Sequence, residues 1–327
     1  MRNLFAFVVG WFFFSLMGGT SAAERIRVTF VSPSPSLSVP WIAKETGLFA
    51  KHGLDAEVIL LTGSPRAVQS LIAGDVHYTV AGATATMRAR MRGADVMIIA
   101  ATTNVSSQKL LVTRKSGIRQ LEDLKGRAIG VSQYGSEADA FARIVISKAG
   151  LRPDKDVTIL QVGGHPQVAA ALVAGKIEAG VLGGLAFLTA QQSGAIVLTS
   201  AVELKTVSLG PALVTTGVYL QRNRDSVMRF MRAFVEAFHY FRTNREGTIS
   251  LLQKYMGGIN SEQARFLYDE NVELFEELPV PGEKGLQAAL DRESDPKAKS
   301  FKPADFVDLS FLKEIDRGGL VDKLYQK

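Results

Sequence analysis

The sequence predicts an α/β protein built from two doubly wound lobes, and three observations carry that reading. First, GSPRAVQSLIAGDVHYTVAG at 63–82 returns without gaps as GHPQVAAALVAGKIEAGVLG at 164–183. Gly63, Pro65, Leu71, Ala73, Gly74, Val80 and Gly82 recur 101 positions later as Gly164, Pro166, Leu172, Ala174, Gly175, Val181 and Gly183. Second, one repetition at that spacing is domain-sized, where a solenoid would repeat every 20 to 50 residues, roughly. Third, each copy alternates short β-rich runs with short helical patterns, which calls for parallel pairing and helices on both faces of a sheet.

Taken in order, the chain opens with Met1, Arg2 and Asn3, then an apolar run from Leu4 to Met17, then Ser21, Ala22 and Ala23. This is the pattern of a secretory signal peptide over 1–23, cleaved near Ala23. The apolar run is too short to span a bilayer, which takes about 20 residues. RIRVTFVSPSPS at 25–36 reads as a strand running into a Ser-rich turn, followed by the helical VPWIAKETG and a second strand through EVILLTG. Ser64 is placed to cap a helix with Pro65 in its first position, and that helix stops at Gly74. VHYTVAG is the next strand, a short helix covers 84–92, and VMIIAA is another buried strand. GRAIGVSQYGS at 126–136 opens a second unit of the same order, through VTILQVGG, AAALVAG, IEAGVLGG, a helix near 185–193 and IVLT.

Two extended apolar stretches, KLLVTR at 109–114 and ALVTTGVYLQ at 212–221, are expected to be hinge strands joining the lobes. This divides the chain into lobe one, 24–112 with 213–327, and lobe two, 113–212. From Asp225 onward the pattern is largely helical. DSVMRFMRAFVEAFHYFRTN carries a clean apolar face for packing on lobe one, and SEQARFLYDENVELF forms a second such helix. Residues 279–303 read as a polar loop with one short helix.

Composition excludes several classes. The 327 residues are 46% hydrophobic and 21% charged, as in ordinary globular proteins. There is no cysteine, hence no disulfide, thiol catalyst, thiolate metal site or lipid-attachment cysteine. The formal charge of +6 is spread along the chain. Its densest spot, Arg88, Arg90 and Arg92, reads as a solvated helix face and not as a nucleic-acid stripe.

With these segments in order, the sequence resembles the periplasmic substrate-binding proteins of ABC importers, in the branch that includes sulfonate, taurine, nitrate and thiamine-pyrimidine binders. WIAKETGLFAKHGLDAEVILLTG, AVQSLIAGDVHYTVAG and LEDLKGRAIGVSQYGS carry the resemblance, which spans nearly the whole mature chain. It implies a type II periplasmic-binding-protein fold, a ligand enclosed between lobes that close about a hinge, and docking onto an ABC permease and its ATPase in the inner membrane. It also implies a periplasmic protein, expected to be a monomer.

Ligands of parallel α/β sheets bind beyond the carboxyl ends of the strands. The corresponding turns offer Ser32 and Ser34, then Gly63, Ser64 and Pro65, then Gly82, Ala83 and Thr84 in lobe one. Lobe two offers Gln133, Tyr134, Gly135 and Ser136, then Gly164 and His165, then Gly183 and Gly184. Glycines admit close backbone approach, and hydroxyls and free amides at helix starts favour an anion, which suits sulfonates. Ser64 and Ser136 equally suit capping of their own helices, and Ser136 with Asp139 has capping-box spacing. Trp41, Tyr134 and Phe187 are candidate aromatic walls, with Trp41 equally suited to the core. His165 is the histidine placed at the cleft; His52, His77 and His239 read as surface or packing residues. No arginine sits at the centre of these turns to clamp a carboxylate or phosphate.

The expected function is therefore a solute receptor for an importer, with no cofactor, metal or catalytic residue. A pyrimidine or aromatic-compound binder of the same fold, or a sensor feeding another transporter or signalling partner, is the alternative. An enzyme is not expected. One eukaryotic relative of the thiamine-pyrimidine branch makes its product, but its resemblance includes a Cys-rich motif, and no nucleophile elbow or HExxH pattern is present here.

Overall fold

The structure is a computed structural model describing residues 23–207, 209–293 and 295–326; the expected signal peptide, save Ala23, lies outside the described residues. Its elements begin with β1 (Glu24–Phe30), α1 (Val39–Glu45), α2 (Leu48–Lys51), β2 (Leu54–Leu60), α3 (Ser64–Ile72), β3 (Tyr78–Gly82), α4 (Ala83–Met91) and β4 (Met97–Ala101). Next come β5 (Lys109–Thr113), β6 (Ala128–Val131), α5 (Glu137–Lys148), β7 (Thr158–Gln161), α6 (His165–Val173), β8 (Ala179–Leu182), α7 (Gly184–Gln192) and β9 (Ala195–Ser200). The chain ends through β10 (Pro211–Thr215), α8 (Gly217–Arg222), α9 (Arg224–Thr243), α10 (Arg245–Met256), α11 (Ser261–Val272), α12 (Glu283–Asp291), α13 (Ser310–Arg317) and α14 (Leu320–Tyr325).

Two five-stranded sheets result, ordered β2-β1-β3-β10-β4 and β7-β6-β8-β5-β9. The repeat is visible in their matching orders: β1 lies parallel between β2 and β3, as β6 does between β7 and β8. Pairing is not parallel throughout, however. β10 runs antiparallel to both β3 and β4, and β5 antiparallel to both β8 and β9. The two stretches expected as hinge strands are thus interior strands, each inserted into the other lobe's sheet order. The crossings are the segments on their N-terminal sides, 102–108 and 201–210. A strand that arrives from the neighbouring lobe enters its sheet from the cleft end, so it runs against the strands that leave toward the cleft.

ALVTTGVYLQ also stops being a strand at Thr215. The Thr216 hydroxyl accepts a hydrogen bond from the Tyr219 amide at 3.2 Å and starts α8, because a capping side chain and a following glycine favour leaving the strand. α10 is a further helix that the sequence pattern did not single out.

The apolar face of α9 lies in the core of the first lobe with Ile26, Val28 and Tyr78. The Phe230 ring stacks on Tyr78 at 3.8 Å, and Phe241 on Phe275 at 4.0 Å. The long helix thereby fixes the back of sheet one and leaves the carboxyl ends of its strands to face the second lobe. A separate core built from Leu110, Ile129, Phe141 and Val181 supports sheet two.

Candidate functional site

The turns after β1, β2, β6, β7 and β8 meet at the carboxyl ends of the two sheets and enclose a cavity of about 40 Å³. Ser32, Ser34, Gly63 and Ser64 line it from the first lobe, and Ser136, Gly164, His165 and Gly183 from the second. α3, α5, α6 and α7 all begin at this level, so their free amides and positive dipole ends converge on it. A volume this small holds one or two waters and no organic solute, so the lobes are closed on each other in this conformation.

Close backbone approach depends on two glycines. Gly63 has φ 94°, and a β-carbon there would lie 2.1 Å from Oε1 of Gln133. Gly184, at φ 56°, would meet the Pro33 carbonyl oxygen at 2.6 Å. Gln133 and Gly184 thus serve as contact points between lobes and do not line the cavity. Gly82 is also close to the opposite lobe, since a β-carbon on it would sit 3.2 Å from Cβ of Glu137.

The remaining candidates lie elsewhere. Ala83 and Thr84 border a smaller space of about 20 Å³ between α4 and α5. Pro65, Tyr134 and Gly135 face an outer surface groove of about 270 Å³. Tyr134 is 52% exposed, and its hydroxyl donates to the Ile159 carbonyl at 3.1 Å. Trp41 is placed in the core at 0% exposure, between Phe30 and Tyr255 with ring centroids 5.2 and 4.9 Å away, because α1 turns its indole toward α9 and α10. Phe187 is buried beneath the Lys109 ammonium, 4.6 Å from its ring centroid.

The two serines placed for capping diverge. Ser136 does cap α5, accepting from the Asp139 amide at 3.3 Å, while its hydroxyl also takes a hydrogen bond from Ser132 at 3.0 Å. Asp139 reaches back to the Gly135 amide at 2.9 Å, one residue earlier than a capping box requires. Ser64 makes no cap; Gly63 occupies that position, and the Ser64 hydroxyl instead accepts from the Gly82 amide at 3.0 Å, tying α3 to the end of β3. Arg88 likewise is not merely solvated. It pairs with Glu293 at 2.7 Å and stands 4.0 Å from Asp139 in the facing lobe, beside a groove of about 960 Å³.

Sequence reasoning missed the two acceptors of the cavity lining, Glu137 and Gln108. Glu137, the first residue of α5, lines the main cavity and the small space behind it. Its Oε1 accepts a hydrogen bond of 2.6 Å from Ser106 on the first crossing segment. Burial pushes its carboxyl above the ordinary glutamate value, an effect that hydrogen bonds from Ser106 and Gln108 partly offset. Gln108 lines the same cavity and is 6% exposed. A glutamate just after a capping serine reads as routine helix-start chemistry, and Gln108 carries no local signal because only the crossing brings it here. Burial lowers the pKa of His165, which keeps the imidazole neutral at pH 7. Its Nδ1 stands 3.3 Å from the Gly183 amide nitrogen and 3.5 Å from the Gly183 carbonyl oxygen, so the ring is held by the backbone at the end of β8. Among the described residues no lysine or arginine lines this cavity, and no group of three or more His, Cys, Asp or Glu could hold a metal ion.

Residues 35–247 match the family described as NMT1/THI5 like. The chain belongs to the NMT1/THI5-like family. Among its relatives, a chain provisionally named as a binding protein in Brucella abortus (strain 2308) is 26% identical over 234 residues, covering 71% of each chain. One from Bacillus subtilis (strain 168), provisionally named as an aliphatic sulfonates-binding protein, is 24% identical over 226 residues, covering 67% of each. In three dimensions the chain is similar to the alkanesulfonate-binding protein SsuA of Xanthomonas axonopodis pv. citri, with a TM-score of 0.70 and 21% identity over 83% of this chain and 92% of that one. That likeness establishes the bilobal α/β fold of periplasmic binding proteins for this NMT1/THI5-like chain. The family residues reach from the 3-10 turn at Pro35–Leu37 into α10, and so take in both crossings and every cavity-lining turn except the start of the one after β1.

Proposed function

We propose that this protein is an extracytoplasmic receptor that encloses a small polar or anionic organic solute between its lobes and hands it to the permease of an ABC importer. One observation carries the reading: duplicated Ser- and Gly-rich turns at the carboxyl ends of two separate sheets meet in one closed cavity. A site assembled from both lobes is complete only when they close, which lets a partner distinguish the loaded form from the empty one. The names of the relatives favour solutes of the sulfonate type, and the helix starts facing the cavity suit the negative end of such a molecule.

Non-catalytic action fits the cleft chemistry. His165 is engaged by Gly183 and Glu137 by Ser106, and among the described residues no hydrogen bond joins His165 to a cleft hydroxyl. A nucleophile and base paired for attack would need that bond or its equivalent. Periplasmic residence, monomeric state and division into two moving lobes complete the proposal. No helix among the described residues is long and apolar enough to cross a membrane.

The test is native mass spectrometry of protein purified from its own periplasm, followed by thermal-shift screening of sulfonates, taurine, nitrate, pyrimidines and aromatic acids. A co-purified solute or a stabilising compound is expected. A Gly164→Val variant should lose that binding, since a β-carbon at 164 already approaches Thr62 Cγ2 to 3.0 Å. No solute and no stabilisation by any compound would overturn the receptor reading.

A further inference from the structure

Glu137 is a half-buried carboxylate in a cavity to which, among the described residues, the lining supplies no cation. Among the described residues it forms no ion pair, and the Ser106 hydroxyl donates to its Oε1 at 2.6 Å. An ionised carboxylate offers about four acceptor positions. Ser106 and the Gln108 amide occupy two of them, which leaves acceptor capacity facing the cavities. The other charged or titratable groups nearby are His165, across the main cavity, and Arg292, which lines the small space behind Glu137; neither pairs with it. Arg292 instead donates to the Val207 carbonyl.

A second acceptor stands beside it. Oε1 of Gln108 is buried and has no hydrogen-bond partner, although the residue lines the cavity. A buried acceptor left unmet loses its water without gaining a partner, so two acceptors side by side constitute a standing demand for a donor. A bare anion placed here would add a like charge to the carboxylate and satisfy neither group.

We propose that Glu137 and Gln108 form the acceptor end of the solute site, so that the bound solute presents a nitrogen donor to them, and that anions lacking such a donor are rejected. The inference rests on the receptor reading and narrows it. The helix starts accommodate a negative or electron-rich group, while Glu137 and Gln108 select for an N–H group on the same molecule. Rejection arises because the wrong solute takes water from the carboxylate without pairing it, a stronger discriminator than any change in shape.

The test uses the mature chain, freed of co-purified solute by unfolding and refolding, in calorimetric titrations with matched probes. These are 2-aminoethanesulfonate against 2-hydroxyethanesulfonate, and 4-amino-2-methylpyrimidine against 2,4-dimethylpyrimidine. Accurate-mass identification of the solute carried by protein from its own periplasm runs in parallel. The expected result is at least about tenfold tighter binding of the amine-bearing member of a pair, falling to within about threefold in Glu137→Gln. A co-purified solute containing an N–H group supports the proposal even if no probe binds. Equal or reversed preference in the wild type, preference unchanged in a folded Glu137→Gln, or a co-purified solute without an N–H group overturns it and leaves the receptor reading standing. Absence of any solute and of any probe binding overturns the receptor reading, and this inference with it. Circular dichroism of Glu137→Gln checks its fold, and the mass measurement needs no variant.

Discussion

Gly63 and Gln133 touch across the cleft so closely that a single added carbon at Gly63 would sit 2.1 Å from the Gln133 amide oxygen. One comes from the turn after β2 and the other from the turn after β6, so this contact exists only while the lobes are closed. A Gly63→Ala substitution meets a φ of 94° that side-chain-bearing residues rarely adopt, and it also forces the flexible end of the Gln133 side chain to swing aside from the closed contact. Backbone strain of this kind costs about 1–3 kcal/mol. Solute affinity should fall by at least about tenfold, measured by calorimetry. Adding Gln133→Ala should restore only part of it, because removing the clash leaves the strain; full recovery would show that the backbone angle is unimportant.

Lys109 and Glu270 form a second bridge between lobes, at 2.8 Å from β5 to α11. Replacing Lys109 by Met removes the ion pair and keeps much of the packing over Phe187. A partly exposed pair of this sort contributes about 1 kcal/mol or less, so the closed population should drop by up to about fivefold. The chain has no cysteine, so Lys44→Cys and Lys176→Cys would provide specific labels, one in each lobe. Fluorescence energy transfer between them should report a longer mean separation in Lys109→Met, and 1 M salt should shift the parent protein the same way. An unchanged separation would remove this pair from any account of closure.

Glu137 makes a prediction about stability against pH. Its folded pKa is raised above the ordinary 4.5 by burial. The folded state therefore holds the proton longer than the unfolded chain does, and stability falls as pH rises from about 4.5 through the folded value. Glu137→Gln removes this loss and keeps an acceptor for Ser106. In the absence of solute the variant should melt higher than the parent at pH 7.5, and the difference should vanish near pH 4. A gap that grows on acidification would mean that the carboxylate is stabilised in the fold, not strained by it.

Trp41 should separate stability from binding. Truncation to Ala empties a site packed by Phe30 and Tyr255 and should destabilise the protein by about 3–5 kcal/mol in urea unfolding. Solute affinity of the folded fraction should change by less than about threefold. A large loss of affinity at unchanged stability would place the indole at the site after all.

The local half of this protein was legible in the sequence. The 101-residue echo placed the turns after β2, β3, β7 and β8 correctly, because glycine, proline and helical spacing are backbone demands that each segment states for itself. The same reading left Trp41 undecided, since an aromatic residue on a helix face looks alike whether the face meets solute or α9. It left Ser64 open between a cap and a cleft hydroxyl, because its partner, the Gly82 amide, is 18 residues away and becomes adjacent only when α3 packs beside β3.

What the sequence determined by itself, then, was a pair of βαβ units with Ser- and Gly-rich turns at their strand ends, since periodicity and turn chemistry act over a few residues. Only the tertiary structure decided that β5 and β10 each enter their sheet from the opposite lobe, and that the crossing before β5 carries Ser106 and Gln108 to the start of α5. Burial and charge compensation depend on groups distant in the chain. A glutamate that looks like helix-start decoration in the sequence becomes, once two lobes close around it, the one carboxylate among the described residues that line the cavity.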